Sequence, residues 1–187
     1  NVLLQTGTLR IENSQVSSDA IPLEGFTGGN AGTIHAKVGG DISLTNSFVS
    51  TSTVGNGNAG NILMASNSLQ AESTMLASIA AALPGLSGGN GGTIQLNIVQ
   101  DAHLSNSTID SQTVANGNAG NVFVDAASLT LNSASLSTGT SPGEGFTGGN
   151  AGNIQVTVGQ LIMNDGLIVS QSQFSAGNGG LVTVNAS

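Results

Sequence analysis

The chain has 187 residues, of which 38% are apolar and 6% charged, with a formal net charge of -8 and 28 glycines. The apolar share suffices for a core and excludes disorder through want of hydrophobic residues, and the ten acids, scattered singly, read as solvated surface. With Arg10 and Lys37 as the only basic residues and no cysteine, a phosphate backbone finds no counter-charge, and disulfides and thiolate metal sites are excluded.

From the N-terminus, apolar residues recur at every second position in short runs, the period of a strand and not of a helix. Leu9 and Ile11 are followed five residues on by Val16, and then by the loop "IPLEGFTGGN" ending at Asn30. The pattern restarts with Ile34 and Ala36, then Ile42 and Leu44, then Val49, and a shorter loop runs to Asn58. Ile62 and Met64, Leu69 and Ala71, and Leu76 lead into "ALPGLSGGN", ending at Asn90. Ile94 and Leu96, Ala102 and Leu104, and Ile109 precede the short loop to Asn118. Val122 and Val124, Leu129 and Leu131, and Leu136 precede "SPGEGFTGGN", ending at Asn150. Ile154 and Val156, Leu161 and Met163, and Ile168 lead to Asn178, after which Val182 and Val184 begin the pattern again. Just before the third apolar site stands a small residue, Ser47, Thr74, Ser107, Ala134 or Gly166, which marks a tight corner.

The anchor G-N-[AG]-G thus occurs six times, with its asparagines spaced 28, 32, 28, 32 and 28 apart. The unit is a 60-residue pair of unequal sub-repeats, covering 1-60, 61-120 and 121-180, with a partial strand at 181-187; "GFTGGNAG" accordingly stands at both 25-32 and 145-152. Three short strands in about 30 residues cannot bury an apolar face alone and must stack on neighbouring copies. The predicted fold is all-β, a single parallel β-helix (β-solenoid) with three strands per turn and about six turns of alternating 28 and 32 residues. A propeller blade needs four antiparallel strands over about 40 to 50 residues and does not fit.

Stacking places Asn30, Asn58, Asn90, Asn118, Asn150 and Asn178 in one column, where an amide ladder is expected to bond turn to turn. The flanking glycines suit positive φ or close backbone approach. Loss of one ladder asparagine should leave unpaired amides on both neighbours, at roughly 1 to 3 kcal/mol if they are buried, and Asn90→Ala should destabilise more than Asn56→Ala. The long loops hold all three prolines, Pro22, Pro84 and Pro142, and the apolar residues Phe26, Leu86 and Phe146 at 60-residue intervals. These three would recur about 9.6 Å apart, twice the strand spacing, either covering local backbone or forming a ridge for lateral association or partner docking.

Reactive constellations are sparse. "GNGNAG" at 55-60 matches G-x-G-x-x-G, but a strand-like "NILMAS" follows it where a dinucleotide site needs a helix. The calcium nonapeptide G-G-x-G-x-D wants an aspartate where Thr33, Asn61, Thr93 and Asn153 stand. No two acids hold equivalent positions in consecutive turns, as a carboxylate pair for glycoside hydrolysis would need. His35 and His103 lie outside the apolar register. The residues after the third apolar site, Ser17, Ser50, Ala77, Asp110, Ser137 and Val169, form no ice-binding threonine lattice. The expectation is a non-catalytic protein without cofactor, metal or nucleic acid, and without membrane insertion.

The succession "GGNAGNIQVTV", "SLTLNSASLST" and "GNGNAGN" resembles the repeat regions of two-partner-secreted exoproteins of the filamentous haemagglutinin type. The resemblance spans essentially the whole chain and implies a right-handed parallel β-helix within a longer secreted protein. It also implies passage through an outer-membrane transporter and a place on the bacterial cell surface as a filament or adhesin. On this reading the chain is a structural rod or stalk, continued by more solenoid in the same chain or head to tail by another copy. The alternatives are an adhesin module that binds surface glycans or proteins through its long loops, and a degenerate carbohydrate-active β-helix. The chain opens on Asn1 and stops within "LVTVNAS", which reads as a piece of a longer repeat array.

Overall fold

The structure, a computed structural model, describes residues 1–23 and 27–187. It is a β-solenoid whose strands all pair in parallel, with no helix among the described residues. The first turn carries β1 (Val2–Thr6), β2 (Leu9–Glu12) and β3 (Gln15–Ser17). The second carries β4 (Ile34–Val38), β5 (Asp41–Thr45), β6 (Phe48–Ser50) and β7 (Thr53–Val54). The third has β8 (Ile62–Ser66), β9 (Ser68–Glu72) and β10 (Met75–Ala81), and the fourth β11 (Ile94–Ile98), β12 (Asp101–Ser105) and β13 (Thr108–Thr113). In the fifth and sixth turns the first two strands run on as one 11-residue strand each, β14 (Val122–Asn132) and β16 (Ile154–Asn164). β15 (Ser135–Thr140) and β17 (Leu167–Ser172) complete these turns and pair with each other, and β16 pairs with β18 (Val182–Ala186), the opening strand of a seventh turn.

The register follows the sequence repeat. Ile34 pairs with Ile62, Ile62 with Ile94, Ile94 with Val122, and Val122 with Ile154. These five side chains form one interior column, each at most 1% exposed. Parallel pairing of equivalent residues is what alternating apolar code demands, because a one-residue slip would turn every core side chain to solvent. Further columns run through Ile42, Leu69, Ala102 and Leu129, and through Val49, Leu76, Ile109 and Leu136, all buried. Large and small residues alternate along a column, as where Leu44 lies beside Ala71 and Ala71 beside Leu104, so neighbouring layers interlock without overpacking.

The corners differ from expectation by one residue. Ser47, Thr74, Ser107 and Ala134 are buried and belong to the interior. The bend itself is made by the residue before each, Asn46, Ser73, Asn106 and Ser133, with φ between 47 and 51°. Asn13 and Asp165 hold the same place in the first and last full turns, at 49 and 51°. This left-handed conformation disfavours side chains in general but tolerates Asn and Asp, whose short polar groups bond locally. Of the two roles expected of the anchor glycines, those flanking the asparagines answer close approach, not positive φ. A Cβ on Gly60, Gly92, Gly120, Gly152 or Gly180 would collide with the carbonyl of the matching glycine one turn earlier.

Candidate functional site

The anchor loop closes each turn, and here the strand ladder gives way to side chains. The six asparagines stack and are exposed, and their bonding is side chain to backbone. The N–H groups of Asn58, Asn90, Asn118, Asn150 and Asn178 each donate to Oδ1 of the preceding asparagine in the column, at 2.8 Å. A side-chain to side-chain amide bond occurs at one step, Asn90 Nδ2 to Asn58 Oδ1 at 3.3 Å. The backbone returns the link, with the N–H of Ala59 donating to the Asn90 carbonyl and that of Ala119 to Asn150, both at 2.9 Å. Each of the first five asparagines therefore supplies the acceptor that an ordinary parallel ladder would take from the main chain.

The main-chain carbonyls so released turn inward. Gly29, Gly89 and Gly149, just before the asparagines that end the long turns, accept from the hydroxyls of Thr53, Thr113 and Thr140 at 2.9 to 3.2 Å. After the anchor, Gly60 accepts from both Thr51 and Ser78 at 2.7 Å, and Gly92 from Ser111 at 2.6 Å. Ser78 and Ser111 also receive the N–H groups of Gly92 and Gly120. The hydroxyl residues Thr51, Ser78, Ser111 and Thr138 are at most 1% exposed and share a single register. They fill the narrow side of the solenoid, where glycine backbone lies too near for a larger side chain. No buried side-chain nitrogen or oxygen among the described residues lacks a partner.

Sequence reasoning missed this hydroxyl register, because serine and threonine alternate with apolar residues on the outer face as well. It also missed a second asparagine set, in which Asn61 accepts the Thr93 N–H, and Asn121 that of Asn153, at 2.8 Å. Asn56 and Asn116, in the short loops, accept the N–H groups of Ser87 and Thr147 in the long loops that follow, also at 2.8 Å. The 60-residue period in Asn1, Asn61 and Asn121 is the signal that could have found the second set.

Of the long-loop residues, Phe26 lies outside the described residues, and Leu86 and Phe146 are half-buried. Each closes a tight turn, with its N–H bonded to the carbonyl of Leu83 (3.0 Å) or Gly143 (3.2 Å). Gly85 and Gly145 supply the positive φ, 88 and 87°, that the third position of such a turn requires. Among the described residues, the solvent-facing apolar ones on this edge are Ile21, Leu23 and Leu83, at 75, 78 and 47% exposure.

The acids are more engaged than a solvated surface. Asp19 accepts from the Ser50 hydroxyl and the Ser52 N–H, Asp41 from Ser68, Asp101 from Ser128, and Asp110 from Ser137. Each of these serines belongs to the following turn, so the carboxylates also join turn to turn. Arg10 and Glu12 form an exposed ion pair at 3.0 Å, of a kind that adds little stability. His103 Nε2 lies 3.2 Å from Ser105 Oγ, and His35 is exposed. Among the described residues no three His, Asp or Glu side chains are grouped to hold a metal ion, and no helix is long and apolar enough to cross a membrane. No family model, curated protein or solved structure matches the chain.

Proposed function

We propose that the chain is a stretch of the shaft of a secreted cell-surface filament or adhesin, a rod that extends and displays and performs no catalysis. One observation carries the reading: polar side chains of three kinds, the corner asparagines, the carboxylates and the long-loop serine and threonine, bond to the turn above or below. Such bonding resists extension along the axis and side-slip between turns. The resemblance of the repeat to two-partner-secreted exoproteins supports the extracellular location and an outer-membrane transporter as export partner. It also supports continuation of the solenoid within the same chain or by another copy. Antibody raised against the isolated segment and imaged on intact cells tests the proposal. Label distributed along surface filaments is expected; label confined to the cell interior would sink it.

A second reading, a binding module for a host protein or glycan, is favoured by the exposed apolar edge of Ile21, Leu23 and Leu83. It predicts that Leu23→Ser with Leu83→Ser leaves the melting temperature unchanged and abolishes adherence. Unchanged adherence of the double variant would return these residues to a covering role.

A further inference from the structure

A cavity of about 210 Å³ opens on the outer face of the third strand column, between the fourth and sixth turns. Its position follows from one glycine. In the outward register where neighbouring turns carry Ile79, Gln112 and Gln171, the fifth turn has Gly139. Gly139 has no side chain to fill this position, and a Cβ there would lie 2.7 Å from the Gln171 carbonyl oxygen. Around it stand Asp110, Ser137, Gln112, Gln171 and Gln173. Asp110 already accepts from Ser137 through Oδ1.

A second irregularity adjoins the cavity in the chain. Thr53, Thr113 and Ser172 occupy equivalent strand positions. The first two are followed by an anchor asparagine five residues later, Asn58 and Asn118, whereas Ser172 is followed six residues later by Asn178. The added residue is Phe174, next to Gln173, with φ 52° and 91% exposure. A bulky side chain in the left-handed region is a genuine outlier, and such outliers gather at ligand clamps. An aromatic ring held in water in a disfavoured backbone conformation gains nothing for folding.

We propose that this cavity binds adjacent hydroxyls of a neutral sugar ring, with Asp110 and the glutamine amides as its hydrogen-bonding set. Each hydroxyl both donates and accepts, which matches a carboxylate that only accepts and amides that do both. An anion is opposed by Asp110 and by the chain's net charge of -8. A purely apolar ligand would strip water from the amides without replacing its bonds. A primary ammonium satisfies the carboxylate and leaves the glutamine N–H groups unanswered. The assignment is independent of the shaft reading, since a rod with or without this site is still a rod.

The test is an NMR titration of the whole chain with the methyl glycosides of glucose, galactose, mannose and fucose, following the side-chain amides of Gln112, Gln171 and Gln173. At least one glycoside is expected to give saturable shifts with Kd on the order of 1 to 10 mM. Asp110→Asn keeps the Ser137 bond and the fold, and should weaken binding about tenfold or more. Phe174→Asn should raise the melting temperature by relieving the backbone. Absence of shifts with all four glycosides overturns the proposal, as do shifts undiminished in Asp110→Asn. Shifts produced by methylammonium alone would replace it with a cation site.

Discussion

Asn90 holds the turns on either side of it by different atoms. Its N–H donates to Asn58 Oδ1, and its own Oδ1 receives the Asn118 N–H, both at 2.8 Å. Because the column is exposed, water can replace part of what a deletion removes, and Asn90→Ala should cost about 1 kcal/mol, toward the lower end for a lost partner. Asn56 is no neutral comparison, since it caps Ser87 through both N–H and Oγ; its replacement should cost a similar amount. The neutral comparison is Asn178, whose side chain has no partner among the described residues and whose change to alanine should stay within about 0.5 kcal/mol. Urea midpoints at constant slope measure all three, and equal losses at Asn90 and Asn178 would contradict the ladder. Asp110 presents the reverse case. Burial raises its carboxyl above the ordinary 3.8, with the Ser137 hydroxyl pulling the other way. A group whose pKa is raised on folding contributes its full share of stability below the unfolded value and loses it as pH rises through the folded value. Asp110→Asn has no such loss. Its advantage in melting temperature over wild type should be smallest below pH 3.8, grow through the folded pKa and then level off; an advantage constant across pH would show that desolvation is not its source.

At the scale of the element, the third strand column does two jobs. Its first inward residues, such as Leu76 and Ile109, pack the apolar core, and two positions on, Ser78 and Ser111 bond glycine backbone across the interior. Ser111→Ala would strip one partner from the Gly92 carbonyl and one from the Gly120 N–H, at 2.6 and 3.1 Å, in a place closed to water. That should cost about 2 to 3 kcal/mol, well above Asn90→Ala, and thermal unfolding of the pair gives the comparison. A smaller loss at Ser111 than at Asn90 would mean that the interior hydroxyls are not what holds this side together. The apolar columns are legible in the sequence because β-branched and leucine residues return at fixed distances from the anchor, as Ile34, Ile62 and Ile94 do. The hydroxyl column is not, because Ser137, which bonds Asp110 on the outer face, and Ser78 inside are the same letter, and only the proximity of Gly60 and Gly92 tells them apart. The corner was misplaced by one residue for a related reason. Small side chains suit both a bend and a crowded interior, and at Ser47 it is the interior that selects them while Asn46 makes the bend. Of the candidate sites, the asparagine column was visible as identity at fixed spacing. The cavity was not, since it arises where Gly139 breaks the repeat and not where the repeat holds.

For the molecule as a whole, the alternation of 32- and 28-residue turns is itself a packing device. Each described long loop meets a short loop in the next turn, as where Gly28 lies against the Val54 carbonyl so closely that a Cβ has no room, and Asn56 in turn receives Ser87. Long loops are thereby kept two strand spacings apart, about 9.6 Å. A repeat protein's stability is approximately a sum over units and the interfaces between neighbours, so two deletions separate the number of turns from their order. Removing residues 61–120 joins Gly60 to Asn121, the same residue type as Asn61, and preserves long-short order. It brings together equivalent positions, sets Asp41 against Ser128 in place of Ser68, and lays Lys37 opposite Asp125. This chain should fold cooperatively, with a denaturant slope lower by about a third, in proportion to the surface lost. Removing residues 34–61 takes out a single short turn and joins Thr33 to Ile62. The strand columns survive, but one long loop now lies directly on another, and Ser87 loses the Asn56 acceptor. The smaller deletion should therefore be the more damaging, with the lower urea midpoint of the two and exchange of the loop amides near Ser87 and Asn90. Should stability instead fall simply with the number of residues removed, the alternation would be a feature of the sequence with no part in the packing.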